Sequence, residues 1–258
     1  MPGRGRQARR RSVAETTVRR LRPGAISVVV VASALAGVLA GGCGEAGRGT
    51  SPAGGSTSGA GGQAFGRVVT LPSPTTAGGM PLDQAIAERR SQRTFGAGDL
   101  PLATIGQLLW AGQGVTAADG KRAAPSAGGL YPLELYVVTA TQVMHYLPAG
   151  HRVAVRDQAG VGRLLQAAAH GQQVVGDAPD VIVIAAVPGR LRQRYGGQAD
   201  RFVDLEAGHV AENVLLQATS SHLAAVPVGS IDQAGAAAAV GLSAGETVVY
   251  LVPVGPRP

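Results

Sequence analysis

The chain has 258 residues, 45% of them hydrophobic and only 3% aromatic, with a formal net charge of +7. The charge is local: Arg4, Arg6, Arg9, Arg10, Arg11, Arg19, Arg20 and Arg22 against Glu15 carry all of it, and the chain from Ala25 onward is neutral. A neutral body poor in aromatics lacks the phosphate-tracking field and the stacking platform of a nucleic-acid binder, so no nucleic-acid partner is expected. A single cysteine, Cys43, excludes an internal disulfide.

In chain order, the basic head leads into an apolar run from Ala25 to Gly42, then Cys43. A positive region, an apolar region and small residues before a cut site read as an export signal over residues 1–43. Leu39-Ala40-Gly41-Gly42-Cys43 resembles a bacterial lipoprotein signal, in which Cys43 is lipidated, although Leu39 lies one place further from the cysteine than usual. The alternative is an uncleaved signal anchor, since the run is just long enough to span a bilayer. A twin-arginine signal at Arg19-Arg20 or Arg9-Arg10-Arg11 fits poorly. Either anchor places the following domain outside the cytoplasm, at the cell membrane. Residues 44–78 are rich in Gly, Ser, Thr and Pro and read as a flexible tether.

The folded domain is expected over 79–258. Leu82 to Arg90 reads as a short helix with Leu82, Ala85 and Ile86 inward. After Gly96 and Gly98, Pro101 restarts a helix whose Leu102, Ile105, Leu108 and Leu109 share a face, with Trp110 at its end as core or dimer contact. Leu133–Thr139 and Val143–Leu147 read as a hairpin. Val161–Gln172 reads as a helix, and the continuous apolar run Val181–Val187 as a strand buried on both faces. Asp200–Ala224 is the strongest helix. Asp200 is placed to cap it, Phe202, Leu205, His209, Glu212 and Leu216 form its apolar stripe, and Gly208 suggests a close backbone approach. His209 on that stripe reads as a buried structural histidine. Ala225–Gly229, Gln233–Val240 and Thr247–Val254 close the chain as strand, helix and strand.

Two stretches carry chemistry. Glu88-Arg89-Arg90-Ser91-Gln92-Arg93-Thr94-Phe95 packs three guanidinium groups, whose planar forks match phosphate oxygens, beside two hydroxyls. Pro125-Ser126-Ala127-Gly128-Gly129-Leu130-Tyr131-Pro132 is a slim turn that lets backbone approach a flat ligand. An anion site and a planar site together suggest a nucleotide-like cofactor. No GxGxxG lies between a strand and a helix, so a dinucleotide-binding Rossmann reading fails.

The order of Arg89-Arg90-Ser91-x-Arg93-x-Phe95, LLWAGQG (108–114), PSAGGLYPLELYVV (125–138), DLEAGHVAENVLLQA (204–218), VPVGS (226–230) and YLVPVG (250–255) resembles the nitroreductase superfamily. It is similar in particular to the SagB/ThcOx-type branch, which includes azoline oxidases of peptide natural products. The resemblance spans Pro81 to Gly255. It implies an α+β, nitroreductase-like fold with a central mixed sheet flanked by helices, a homodimer, and FMN at the subunit interface. The implied reaction is hydride transfer through flavin N5 between an electron donor and a small-molecule substrate. By match to the motifs, Arg89, Arg90, Ser91 and Arg93 would hold the FMN phosphate and ribityl chain. Pro125, Ser126, Ala127 and Gly128 would lie along the ring from the other subunit, and Val228 and Gly229 would offer backbone groups to it. Azoline-oxidising relatives carry a Lys-Tyr pair where this chain has Arg194-Tyr195. Arg stays protonated and serves poorly as a base, while Tyr195 can donate a proton. The bland reading of this pair is a surface loop. Competing functions are a peptide azoline oxidase and a non-catalytic flavin-binding surface lipoprotein. No metal site is expected.

Overall fold

The computed structural model describes residues 63–258; the signal, Cys43 and residues 44–62 of the tether lie outside the described residues. Seven strands form one sheet: β1 (Arg67–Thr70), β2 (Leu133–Val138), β3 (Gln142–Leu147), β4 (Arg152–Asp157), β5 (Asp180–Ala186), β6 (Leu223–Ala225) and β7 (Thr247–Pro256). Their order is β1-β4-β3-β2-β5-β7-β6. Helices α1 (Leu82–Glu88), α2 (Leu102–Gln113), α3 (Val161–Ala168), α4 (Gln173–Asp177), α5 (Gly189–Tyr195), α6 (Ala199–Ser220) and α7 (Gln233–Val240) complete the α+β arrangement.

The sheet is not mixed as expected: every pairing among the described residues is antiparallel. Strands β2, β3 and β4 follow one another through turns too short for the crossover that a parallel pair requires. The period of two places alternate residues on opposite faces. Leu133, Leu135, Val137, Ile182 and Ile184 pack beneath α2 and α6. Tyr136, Val138, Val181, Val183 and Ala185 pack against α3 and α7. Both faces are therefore covered, which is why β5 reads as an unbroken apolar run.

Four sequence expectations change. Residues 67–70, read as part of the tether, pair with β4 as a strand, and Leu71 is buried in the core. Strand β4 and helix α5 were not anticipated, because both are short and carry charges in place of a clean period. On α1, Ala85 is buried, but Leu82 and Ile86 are 67% and 57% exposed. On α6 the expected stripe faces outward: Leu205, His209 and Glu212 are exposed, and the buried face is Val203, Glu206, Ala207, Val210, Ala211, Val214, Leu215 and Ala218.

The reason is close packing by small side chains. A Cβ added to Gly112 of α2 would meet Leu135 at 3.0 Å and Val210 and Val214 at 3.3 Å. The alanines of α6 let the two helices and the sheet approach to that distance. The close approach assigned to Gly208 thus belongs to Gly112; nothing lies within 4 Å of a Cβ at Gly208. Asp200 stands in the first turn of α6 but makes no capping bond.

Candidate active site

The turn before β2 is held open in an uncommon backbone shape. Gly128 and Gly129 have φ of +62° and +65°, and Tyr131 follows at +46°. Glycine adopts this region freely; a tyrosine does so at a cost, and persists there only when its surroundings determine it. Each polar part of Tyr131 is engaged. Its N–H donates to Ser126 Oγ at 2.8 Å, its carbonyl accepts from Arg190 Nη1 at 2.8 Å, and its hydroxyl oxygen accepts from the Arg122 N–H at 3.1 Å. The Arg122 guanidinium lies 4.5 Å from its ring centroid, within cation–π range.

Arg190 extends the clamp into the sheet. It pairs with Glu134 Oε1 at 2.5 Å, and Glu134 Oε2 meets His145 Nε2 at 2.9 Å. Burial pushes the Glu134 carboxyl up, but hydrogen bonds from His145 and Arg190 outweigh it, and the carboxyl is held below its ordinary range.

Under the turn lies Glu206, 2% exposed, with neither oxygen in a well-formed hydrogen bond. The polar groups around it are Ser126, Gln113, the Ala127 backbone and, by charge, Arg122. Burial pushes its carboxyl above the ordinary range, and these neighbours offset only part of that. A cleft of about 260 Å³ opens here, lined by Pro125, Ser126, Ala127, Phe202, Leu205, Glu206 and His209. Neither Glu206 nor Gln113 was singled out from sequence; a carboxylate on the inward side of a strong helix was the signal available.

Arg194 and Tyr195 are not on a surface loop. They end α5, and a Cβ built on Gly128 would stand 2.7 Å from Tyr195 Oη and 2.8 Å from Arg194 Nη1. Tyr195 also packs edge-on against Phe202, with centroids 4.9 Å apart. The pair and the turn therefore share one place in a single subunit.

The arginine stretch divides. Arg90 Nη1 donates to the carbonyls of Ala87 and Arg89, closing the C-terminus of α1, where a positive charge is favoured. Arg89 pairs with Glu212 on the outward stripe of α6 at 3.6 Å. Arg93 and Ser91 are exposed and make no side-chain bond among the described residues. Next to them Gln92 N–H donates to the Ala225 carbonyl, so this stretch runs along β6. The arginines do not line the Pro125–Ala127 cleft within one subunit. They and the turn meet α6 at two stations of the same outward stripe, Glu212 and Leu205–His209, roughly a turn or two apart.

Val228 differs from expectation. Its N–H donates to Leu251 at 2.8 Å and its carbonyl accepts from Leu251 at 3.0 Å, so its backbone belongs to the sheet. Gly229, exposed beside it, keeps the role open. His209 is exposed, not a buried structural histidine. A second cleft of about 380 Å³, lined by Asp99, Thr139, Gly160 and Arg163 among others, lies at the opposite end of β2 and includes none of the expected residues. Among the described residues no group of His, Cys, Asp and Glu is placed to hold a metal ion.

Comparison with known proteins identifies the family and the fold. A Methanocaldococcus jannaschii protein assigned as a nitroreductase is 39% identical over 155 residues, which are 58% of this chain and 78% of that protein. A crystal structure of a protein assigned as a nitroreductase from Ralstonia eutropha JMP134 superposes with a TM-score of 0.69 at 31% identity, covering 75% of this chain and 90% of that one. A Desulfovibrio desulfuricans structure of the same assignment, in complex with FMN, shares the fold at 22% identity and a TM-score of 0.53, over 69% of this chain and 87% of its own. The nitroreductase family description matches residues 86–256. The chain belongs to the nitroreductase family of oxidoreductases.

Proposed function

We propose that the chain is an FMN-dependent oxidoreductase, working as a homodimer, that passes hydride between an electron donor and a small-molecule substrate. The observation that carries this reading is the shared outward stripe of α6, with a paired arginine at Glu212 and a strained turn over Leu205 and His209. The residues fit the cofactor. Arg93 and Ser91 make no other side-chain bond among the described residues and suit a phosphate. The Pro125–Gly128 backbone offers a slim platform for a planar ring, and Gly229 can offer an amide that Val228 cannot.

When bound, FMN supplies a two-electron acceptor and donor at N5, so the protein needs neither a metal nor a nucleophile. The Pro125–Gly128 turn would lie along one ring face and limit water there. The Tyr195 hydroxyl beside Gly128 holds a proton for delivery to an acceptor. Arg194 remains cationic and offsets negative charge that develops near it. The position of this pair beside Gly128 keeps azoline oxidation of a peptide as a second reading, which is weakened because Arg194 cannot take up a proton as the relatives' lysine can.

The dimer reading rests on unpartnered apolar surface. Leu82, Ile86 and Leu205 are exposed, and Leu82, Trp110 and Leu216 line a groove of about 340 Å³ between α1 and α6. The signal reading places this domain outside the cytoplasm, held by a lipid on Cys43 or by an uncleaved anchor. No helix among the described residues is long and apolar enough to cross a membrane.

The test is the visible spectrum of the full-length protein in detergent, followed by a donor screen. A flavin spectrum bleached by a reduced nicotinamide or another donor is expected. A protein that takes up no FMN would remove the reading, and flavin that no donor reduces would leave a non-catalytic binder. Membrane fractionation of Cys43→Ser separates the anchors: release from the membrane indicates lipidation, retention an uncleaved segment.

A further inference from the structure

We propose that Glu206 is the positioning residue of the Pro125–Tyr131 turn: its carboxylate accepts a hydrogen bond from the Ser126 hydroxyl from below and so fixes the backbone that faces the ligand. Ser126 Oγ already accepts from the Tyr131 N–H, which leaves its hydroxyl proton to be donated. The Glu206 carboxylate is among the polar groups beside it, and Glu206 has no well-formed partner elsewhere. The Gln113 side chain bridges the other way. Its Oε1 accepts from Arg122 at 3.0 Å, and its Nε2, buried and without a partner, is the remaining donor toward Glu206.

The groups that face Glu206 are Gln113 from α2, Arg122 from the loop after it, Ser126 and the Ala127 amide from the turn, and His209 from α6 itself, across the shared cleft. Arg194 and Tyr195 bear on the turn at Gly128. The turn is thus held at two points, Ser126 and Gly128. A buried carboxylate with incomplete partners works against stability, and the same volume filled by an apolar side chain would not. Its placement under a strained, exposed backbone gives it a task in shaping that backbone. The Ser126 side chain then works inward, and the ligand meets backbone and Cβ atoms only.

The consequence is a turn whose order follows the charge on Glu206. Burial keeps the folded carboxyl protonated to higher pH than its unfolded counterpart, but the Ser126 hydrogen bond favours the charged form, so the grip on the turn strengthens as pH rises through the folded value even though overall stability falls there. The experiment is hydrogen exchange of the amides of residues 126–131 in the flavin-free, full-length protein, corrected for intrinsic rates, at several pH values. Wild type is expected to gain protection at these amides, relative to the amides of the core, as pH rises. Glu206→Gln keeps an acceptor without a charge and is expected to stay protected at every pH. Glu206→Ala is expected to lose roughly tenfold in protection, equivalent to one hydrogen bond. The proposal is overturned if Glu206→Gln keeps the wild-type pH slope, or if Glu206→Ala is as protected as wild type; should the alanine variant fail to fold, the slope of the glutamine variant decides. Because the readout contains no flavin, absence of FMN uptake would end the functional reading above and leave this one standing.

Discussion

Gly128 and Tyr195 are in contact across the candidate site: a Cβ on Gly128 would fall 2.7 Å from the tyrosine hydroxyl, closer than real Cβ contacts come. Two elements far apart in sequence, the turn before β2 and the end of α5, are fitted to each other through a missing side chain. Gly128→Ala is expected to destabilise the protein by about 1–2 kcal/mol, chiefly from the left-handed φ. The displaced ends of Tyr195 and Arg194 are flexible, so moving them adds little energy but misplaces the pair. Thermal unfolding and turnover should therefore separate, with a larger relative loss in turnover, and Gly128→Ala/Tyr195→Phe should recover packing without activity.

Arg93 is expected to matter more for FMN than Arg90. Arg93→Ala removes one charge-assisted phosphate contact, which corresponds to a rise in Kd of roughly tenfold to a hundredfold. Arg90→Ala removes an α1 cap and should weaken FMN far less, because that guanidinium is bonded to its own helix. Fluorescence titration of both variants checks the order; equal effects would contradict it.

Arg190→Ala breaks the clamp on Tyr131 and leaves Glu134 half-partnered in a mostly buried place. The expected loss is on the order of 2–3 kcal/mol, dominated by the carboxylate left without its cation. The Glu134 carboxyl is held low, so what it contributes is present above the unfolded carboxyl range and disappears as pH falls through the folded value. Denaturant midpoints should show wild type and Arg190→Ala converging in acid.

Asp180 opens β5 in the core, 1% exposed, with Oδ2 accepting from the Leu100 N–H at 3.2 Å and Oδ1 without a partner. Burial, with Asp99 adding to it, pushes its carboxyl up to about 6 from 3.8, although the Leu100 amide opposes this. The sign is opposite to that of Glu134: stability is full below the unfolded value and falls as pH rises through about 6. Asp180→Asn should therefore be more stable than wild type above that pH, by roughly 2 kcal/mol, and should lose the advantage in acid. A variant that is less stable at every pH would show that the Leu100 bond dominates.

Leu205→Glu places a charge on the outward stripe of α6, beside the turn's cleft. It is expected to yield a monomer by size-exclusion chromatography with light scattering, and to lose FMN with the dimer. A folded dimer that keeps its flavin would move the interface elsewhere.

Much of the fold could be read from residue order, because its determinants are local. The unbroken apolar run at 181–187 is β5, covered on both faces, and Gln233–Val240 is α7 with Asp232 accepting from the Ala234 N–H and Gly241 in the left-handed region after it. The two stretches singled out for chemistry stand out by residue type alone, since guanidinium clusters and glycine turns are local features; their role is a proposal. What the sequence could not assign was which way the helices face and which polar groups remain open. An apolar stripe has the same period whether it covers the sheet or stays exposed, so α1 and α6 were turned the wrong way. Only the tertiary packing showed that the Val228 backbone is bound to Leu251, that Arg90 closes its own helix, and that Glu206 lies beneath Ser126. A hydrogen bond to a distant partner leaves no trace in local pattern, and it decides which groups a ligand can still reach.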